Sequence, residues 1–151
     1  MPADYKFRNA PSRIKPKSDT KIAEEKLWKW FSLYIRLRDS DKKGNARCFT
    51  CGKIKYFREG DCGHGIPRQH KSTKYDERNN QFQCKKCNAF EEGQKDIYAH
   101  NVDVRYGKGT WDTLQVLSRK TCHRGMVDYV AMAQHYEKEA RKLADEKGIV
   151  L

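Results

Sequence analysis

The sequence predicts an α+β fold: a small β-hairpin unit stapled by paired cysteines, surrounded by helices, the last of them long. Three observations predict it. Short β-like runs broken by glycines and polar turns fill the stretch between residues 47 and 88. Two Cys-x-x-Cys pairs, Cys48 with Cys51 and Cys84 with Cys87, bracket that stretch. On either side of it the hydrophobic pattern has the helical period.

Residues 1–18 carry three prolines and five Lys/Arg with no hydrophobic period, and read as a flexible basic arm. A helix follows, capped by Asp19 or Thr20, with Glu24 and Glu25 in its first turns and Leu27, Trp30, Phe31, Tyr34 and Leu37 at helical spacing. Trp28, Leu33 and Ile35 widen the apolar surface, so burial on more than one side is expected, with the aromatics as core rather than as a base-stacking platform. The β-like runs are 53–57, 61–65 and 80–83. A helix over 96–106 is ended by Gly107, and a short helical turn capped by Thr110 carries Trp111 and Leu114. The last helix, 124–147, places Met126, Val130, Ala133, Ala140 and Leu143 on one face and Glu137, Lys138, Arg141 and Lys142 on the other. No internal repeat is visible. The expected division is an arm (1–18), a core (19–107) and a helical extension (108–151) that packs on the core or on a second copy in a homodimer.

A chain of 151 residues holds one ordinary domain plus extensions. With 37% hydrophobic against 34% charged residues its core is small, which makes a staple valuable. The net charge of +12, from 32 Lys and Arg, calls for a polyanionic partner, nucleic acid ahead of an acidic membrane surface. No run approaches the roughly 18 apolar residues of a membrane span, and residues 1–17 lack the apolar stretch of a signal peptide. The expected location is therefore the cytoplasm, where paired cysteines are metal ligands rather than disulfides.

A two-residue gap lets both sulfurs of a Cys-x-x-Cys knuckle reach one ion, and Gly52 eases the first knuckle's turn. Cys48, Cys51, Cys84 and Cys87 together supply the four thiolates of a closed tetrahedral site, the mark of a structural Zn2+ in a treble-clef-like hairpin. No βαβ pattern surrounds either pair, which argues against a thioredoxin-like redox site. Cys62 and Cys122 lie outside the knuckles as plain thiols.

The 32 residues between the pairs (52 to 83) exceed what a simple zinc ribbon needs. They hold Asp61-Cys-Gly-His64-Gly-Ile-Pro-Arg68 and then Glu77-Arg-Asn79-Asn80. A histidine on one strand, an asparagine at the returning strand and a metal ligand just past the second knuckle make a ββα-metal nuclease arrangement. Phosphodiester hydrolysis needs a base for water, which a neutral imidazole supplies near pH 7. It needs a divalent ion for the developing charge, and cations that hold the backbone in line. His64 suits the base, Asn79 the support of its ring or loop, and Asn88 a carbonyl ligand pinned by the zinc. Arg68, Lys71, Lys74, Arg78, Lys85 and Lys86 suit phosphate contacts. Singly, a histidine between glycines is ordinarily a turn residue and an asparagine in a loop a cap; lying together between two knuckles, they favour the site.

At these residues the chain resembles a known family. Tyr34-Ile-Arg-Leu-Arg-Asp39, Arg47-Cys-Phe-Thr-Cys-Gly52, Gly63-His64, and Glu77-Arg-Asn79 leading to Gln83-Cys84-x-x-Cys87-Asn88 look like the core of the lambdoid phage NinG (Rap) recombination endonucleases. The resemblance covers roughly residues 27–107. Cys84-x-x-Cys87-Asn88-Ala89 with Glu92-Gly-Gln-Lys95 is also similar, with one residue inserted, to the zinc-and-metal segment of phage endonuclease VII. The resemblance implies an HNH core that cuts branched DNA, such as Holliday junctions and D-loops, with a magnesium-type ion (Mg2+, or Mn2+). It implies zinc on Cys48, Cys51, Cys84 and Cys87, catalytic roles for His64, Asn79 and Asn88, and the catalytic ion on Asn88. Many HNH enzymes have Asp or His just before the catalytic histidine as a second ion ligand, and this chain has Gly63. Asp61, on the same strand face as position 63, and Glu92, one helical turn past Asn88, are the candidates, with Glu92 preferred. The basic arm lacks the cysteine pair that fuller family members carry there.

Two other classes compete. A non-catalytic zinc-stabilised DNA-binding module would need the cysteines and the cations but not His64 or Asn88. An HNH nickase of ordinary duplex would be expected to carry a further sequence-reading or motor-associated segment, which is not seen. RNA binding ranks lower still, because the aromatics have core spacing.

Overall fold

The computed structural model describes residues 16–151; all but the last three residues of the expected basic arm lie outside them. Helix α1 (Asp19–Arg38) is capped not by Asp19 or Thr20 but by Ser18, whose side chain accepts from the Lys21 N–H at 3.3 Å. Asp19 falls in the first turn and Arg36 and Arg38 in the last, as the helix dipole favours. Leu27, Phe31 and Ile35 are fully buried on its core face.

The long helix α5 (Met126–Lys147) lies along α1, and the two C-terminal ends meet: the Lys147 ammonium donates to the carbonyls of Leu37 and Ser40. The inward stripe of α5 is Tyr129, Ala133, Tyr136, Ala140 and Ala144. This corrects the expected face, since Met126 and Val130 are exposed. The three alanines let α1 approach, while Tyr136 buries its ring edge-on against Phe31 at 4.8 Å and keeps its hydroxyl on Glu77 at 3.2 Å. Counting aliphatic side chains alone misplaces a face built from tyrosine and alanine.

Between these two helices in the chain come two antiparallel hairpins. β1 (Asn45–Arg47) pairs with β2 (Ile54–Tyr56), and the first cysteine knuckle forms the turn joining them. β3 (Gly60–His64) pairs with β4 (Asn80–Cys84), with Cys62 opposite Phe82 and His64 opposite Asn80. β2 is shorter than the expected 53–57 because Phe57 turns into a 3-10 turn, Phe57–Glu59, and joins the core. Asn-Ala-Arg has no strand propensity of its own, so β1 exists by virtue of its partner. The connection from β3 to β4 holds a single helical turn, α2 (Lys71–Lys74), that the pattern does not foretell.

Helices α3 (Lys95–Tyr106) and α4 (Thr110–Ser118) close the other side. The cap position of α4 is Gly109 rather than Thr110; Thr110 starts the helix and donates its hydroxyl back to the Gly107 carbonyl at 2.7 Å. Two cores result. One joins α1 and α5 with Phe57, Cys62 and Tyr75; the other gathers Ile66, Tyr98, Val102 and Leu114. β3 runs from the first toward the second, so His64 sits on backbone anchored at both ends.

A buried ion network sets the hairpin against α1. Arg38 donates to the Asp39 carboxylate at 2.8 Å and to the carbonyls of Glu77 and Asn80, while Asp39 accepts from the Phe82 N–H at 2.9 Å and from Arg105 at 3.1 Å. Burial resists the Asp39 charge, yet Arg38 and Arg105 hold its pKa below the usual value. Among the described residues no helix is long and apolar enough to cross a membrane.

Candidate functional site

The four knuckle cysteines converge. Their sulfurs all lie within 4.8 Å of one another, and Cys51 and Cys84 are 3.7 Å apart. Tetrahedral Zn–S bonds of roughly 2.3 Å place sulfurs about 3.8 Å apart, so the set fits a zinc-sized ion. Cys48, Cys84 and Cys87 are buried and Cys51 is exposed. Burial resists ionisation of Cys48, but backbone N–H groups at Cys51 and Cys84 bring its pKa down to about 6; burial pushes Cys87 up to about 12. A divalent cation is what lets all four ionise together. The second knuckle continues into a one-turn π-helix, Lys86–Phe90, which carries Asn88.

Beside this cluster opens a cleft of ≈ 650 Å³ between α1, β3 and the segment after the second knuckle. Of the residues singled out from sequence, Asp61, His64, Arg68, Lys85, Asn88 and Glu92 line it. Asn88 donates its amide N–H to Asp61 at 3.1 Å, which leaves the Asn88 carbonyl oxygen and the second Asp61 oxygen for another partner. Glu92 arrives differently from expectation. The helical turn stops at Phe90, and Glu92, Gly93 and Gln94 take positive φ (51°, 75° and 47°) to reverse the chain into α3. Glu92 is therefore not one helical turn past Asn88, and the carboxylate touching Asn88 is that of Asp61. Among the described residues the four cysteines are the only group of three or more His, Cys, Asp or Glu side chains close enough to share an ion.

His64 is in a strand rather than a turn, and its neighbours explain its two glycines. A Cβ at Gly63 would sit 2.0 Å from the Gln83 side-chain oxygen, and one at Gly65 2.6 Å from the Trp111 ring. An Asp or His at position 63 would require the Gln83 side chain to move. The imidazole stacks on Trp28 with centroids 5.1 Å apart and planes 20° apart, and its buried Nε2 has no hydrogen-bond partner among the described residues. Burial first, then Arg68, Lys95 and Lys74, lower its pKa to about 3, so the ring is neutral across the physiological range. Lys95 donates to the His64 carbonyl at 2.8 Å and lines the cleft too.

Asn79 lies beneath the cleft rather than in it, fully buried. Its carbonyl oxygen accepts from the Ile66 N–H at 2.7 Å, and its amide donates to the carbonyls of Ile66 and Thr73 at 3.1 Å. The Tyr98 hydroxyl ties the Asn79 and Gly63 carbonyls together at 2.9 and 3.0 Å. Asn79 thus fixes the loop that follows His64. Asn79→Ala would leave the Ile66 N–H and carbonyl unpaired at about 1–3 kcal/mol each, while the Thr73 carbonyl keeps the Asp76 N–H. The expected loss is roughly 2 kcal/mol or more, a fall in melting temperature of about 4–8 °C at this size. A melt within about 2 °C of wild type would refute that role.

The remaining cations chosen from sequence are not gathered into the cleft. Lys74 pairs with Glu24 at 2.6 Å, Arg78 with Asp76 at 2.7 Å and Lys86 with Glu91 at 3.3 Å, while Lys71 is exposed on α2. The cleft brings in others instead: Arg36, Arg58 and Lys95, with Trp28. Their signal was legible only in part. Trp28, Ser32 and Arg36 recur every fourth residue along α1, a helical stripe that the apolar reading passed over. Five Lys or Arg against two acids make the cleft a place for an anion.

A family model described as Bacteriophage Lambda NinG protein matches residues 4–146. No curated protein and no solved structure gives a match.

Proposed function

From the premise that the chain belongs to the NinG family of bacteriophage lambda, we propose that it is a metal-dependent DNA endonuclease of the HNH, ββα-metal type. Its substrates are branched recombination intermediates of phage DNA. One observation carries the chemistry: a neutral, stacked imidazole whose buried Nε2 has no partner among the described residues stands in a cationic cleft beside a linked Asn88–Asp61 pair.

In this reading Nε2 of His64 takes a proton from water as the water oxygen bonds to phosphorus, and the bond from phosphorus to the leaving sugar oxygen breaks. Asp61 and Asn88, with Glu92 nearby, would hold a divalent ion such as Mg2+, which when bound neutralises charge on the phosphate and the leaving oxygen. A small protein ligand set suits magnesium, which keeps waters and shares phosphate oxygens. Trp28 stacks on the imidazole and holds its plane. Asn79 holds the backbone beyond it. A structural Zn2+ on Cys48, Cys51, Cys84 and Cys87 fixes the turn that presents Asn88, and positioning dominates this kind of catalysis.

The test is incubation of the full chain with an end-labelled four-way junction and a matched linear duplex, with and without magnesium. Junction-selective, magnesium-dependent cleavage is expected. Binding with no cleavage in Mg2+ or Mn2+ would sink the nuclease reading in favour of a zinc-stapled DNA-binding module. Equal cutting of both substrates would remove branch selectivity.

Affinity should fall steeply with salt, because each phosphate contact contributes roughly 0.9 to the log–log slope. Arg68→Gln should lower that slope by about one. A flat profile for the wild type would show that the cationic cleft does not engage the DNA backbone.

A further inference from the structure

Two arginines stand two residues apart on α1 and meet opposite surroundings. Arg38 is paired with the carboxylate of Asp39. Arg36 is held as firmly, but by neutral groups: its Nε donates to the Ser32 carbonyl at 3.1 Å and a terminal nitrogen to the Phe57 carbonyl at 3.3 Å. None of the ion pairs among the described residues includes it. Its guanidinium is half-buried and lines the cleft alongside Asp61. Burial works against its charge while Asp61 supports it from beyond ion-pair distance, and a guanidinium stays protonated regardless.

A fixed, partly desolvated cation without a carboxylate is an uncompensated charge, and none of the described residues forms an ion pair with it. The other cleft cations differ. Arg58, Arg68, Lys85 and Lys95 are exposed, where they steer and tether a chain of phosphates. A rigid guanidinium with two of its contacts already spent on backbone carbonyls still presents its remaining N–H groups as a planar fork, the shape that suits a phosphate.

We infer that Arg36 is the anion subsite of the cleft, taking the non-bridging oxygens of one nucleic-acid phosphate next to Asp61 and Asn88. That this phosphate is the one being cut rests on the nuclease reading above; that it is a DNA phosphate does not. Arg36 then belongs to the group that meets charge as it develops, where removing one donor costs about 10²–10³ in rate.

The experiment compares wild type, Arg36→Gln and Arg36→Lys, each checked for zinc content and a cooperative melt. Cleavage of the four-way junction is followed in single turnover at saturating protein, and magnesium-free binding across a salt series. Arg36→Gln should bind with a log–log slope lower by about one and cut about 10²–10³-fold more slowly. Arg36→Lys should keep the slope but cut at least about tenfold more slowly, since lysine lacks the planar fork. Arg36→Gln cutting at the wild-type rate would overturn the assignment. Should Arg36→Gln fail to fold, Arg36→Lys decides, and a wild-type rate there overturns it equally. If the wild type itself does not cut, the nuclease reading falls and the salt slope alone judges the subsite: a slope unchanged in Arg36→Gln overturns it, and a slope lower by about one upholds it as a DNA-backbone contact.

Discussion

Cys84→Ser should lose its zinc and, with it, the order of both hairpins. Cys84 is the last residue of β4 and the first ligand of the second knuckle, so its sulfur joins strand pairing to ion binding. Serine is a poor zinc ligand, and closed four-thiolate sites contribute folding energy outright, on the order of 10–16 kcal/mol in small zinc domains. That is comparable to the whole stability of an ordinary domain, about 5–15 kcal/mol. Purified Cys84→Ser protein should contain far less than one zinc per chain and show a broad, early melt. Chelation of wild-type zinc should reproduce the effect. Full zinc content with an unshifted melt would refute a structural role for the cluster.

His64→Ala should do the reverse, keeping zinc and fold while abolishing cleavage. General-base catalysis is worth about 10²–10⁴ in rate. Truncation also removes the stack on Trp28, which costs the cleft wall some packing but leaves both cores in place. Normal cutting by a well-folded His64→Ala protein would exclude the histidine from the chemistry. The pH dependence has a definite sign. With its pKa lowered to about 3, His64 binds fewer protons folded than unfolded between about pH 3 and the ordinary imidazole value near 6.5. Stability from this group is therefore complete above that value and declines as pH falls through the window. On the same ground kcat/KM for the zinc-loaded protein should show no acid limb near pH 6.5. An inflection there would mean the ring titrates as if exposed.

What the sequence made legible, and what it did not, follows from where the information lies. Cysteine spacing carries its own geometry, so the convergence of Cys48, Cys51, Cys84 and Cys87 is legible in the sequence alone. The β3–β4 hairpin is visible in the short β-like runs 61–65 and 80–83, set off by glycines and polar turns between the two cysteine pairs. The cleft wall was not. Trp28, Ser32 and Arg36 have the spacing of any helix face, and only the docking of α1 on β3 decides that this face looks into a cleft rather than a core. Glu92 was misplaced for a local reason: the pattern beyond Asn88 continues as a helix, whereas the chain reverses through three left-handed residues. Gly63 stands where many HNH sequences have an ion ligand, and in the structure the Gln83 side chain packs against it.

The pairing of α1 with α5 also has a consequence in time. The helix that carries Trp28 and Arg36 is made early and is covered by a helix made some hundred residues later, its far end held by Lys147. On a ribosome the knuckles and hairpins emerge while the apolar face of α1 still lacks its cover, and contacts so distant along the chain are the slow ones to form. A chain stopped short of Tyr129 has every ligand and the histidine, but no braced wall to hold Trp28 against the imidazole. Completion of the last helix thus sets when the cleft forms: its wall stays unbraced until α5 has been made and has docked on α1.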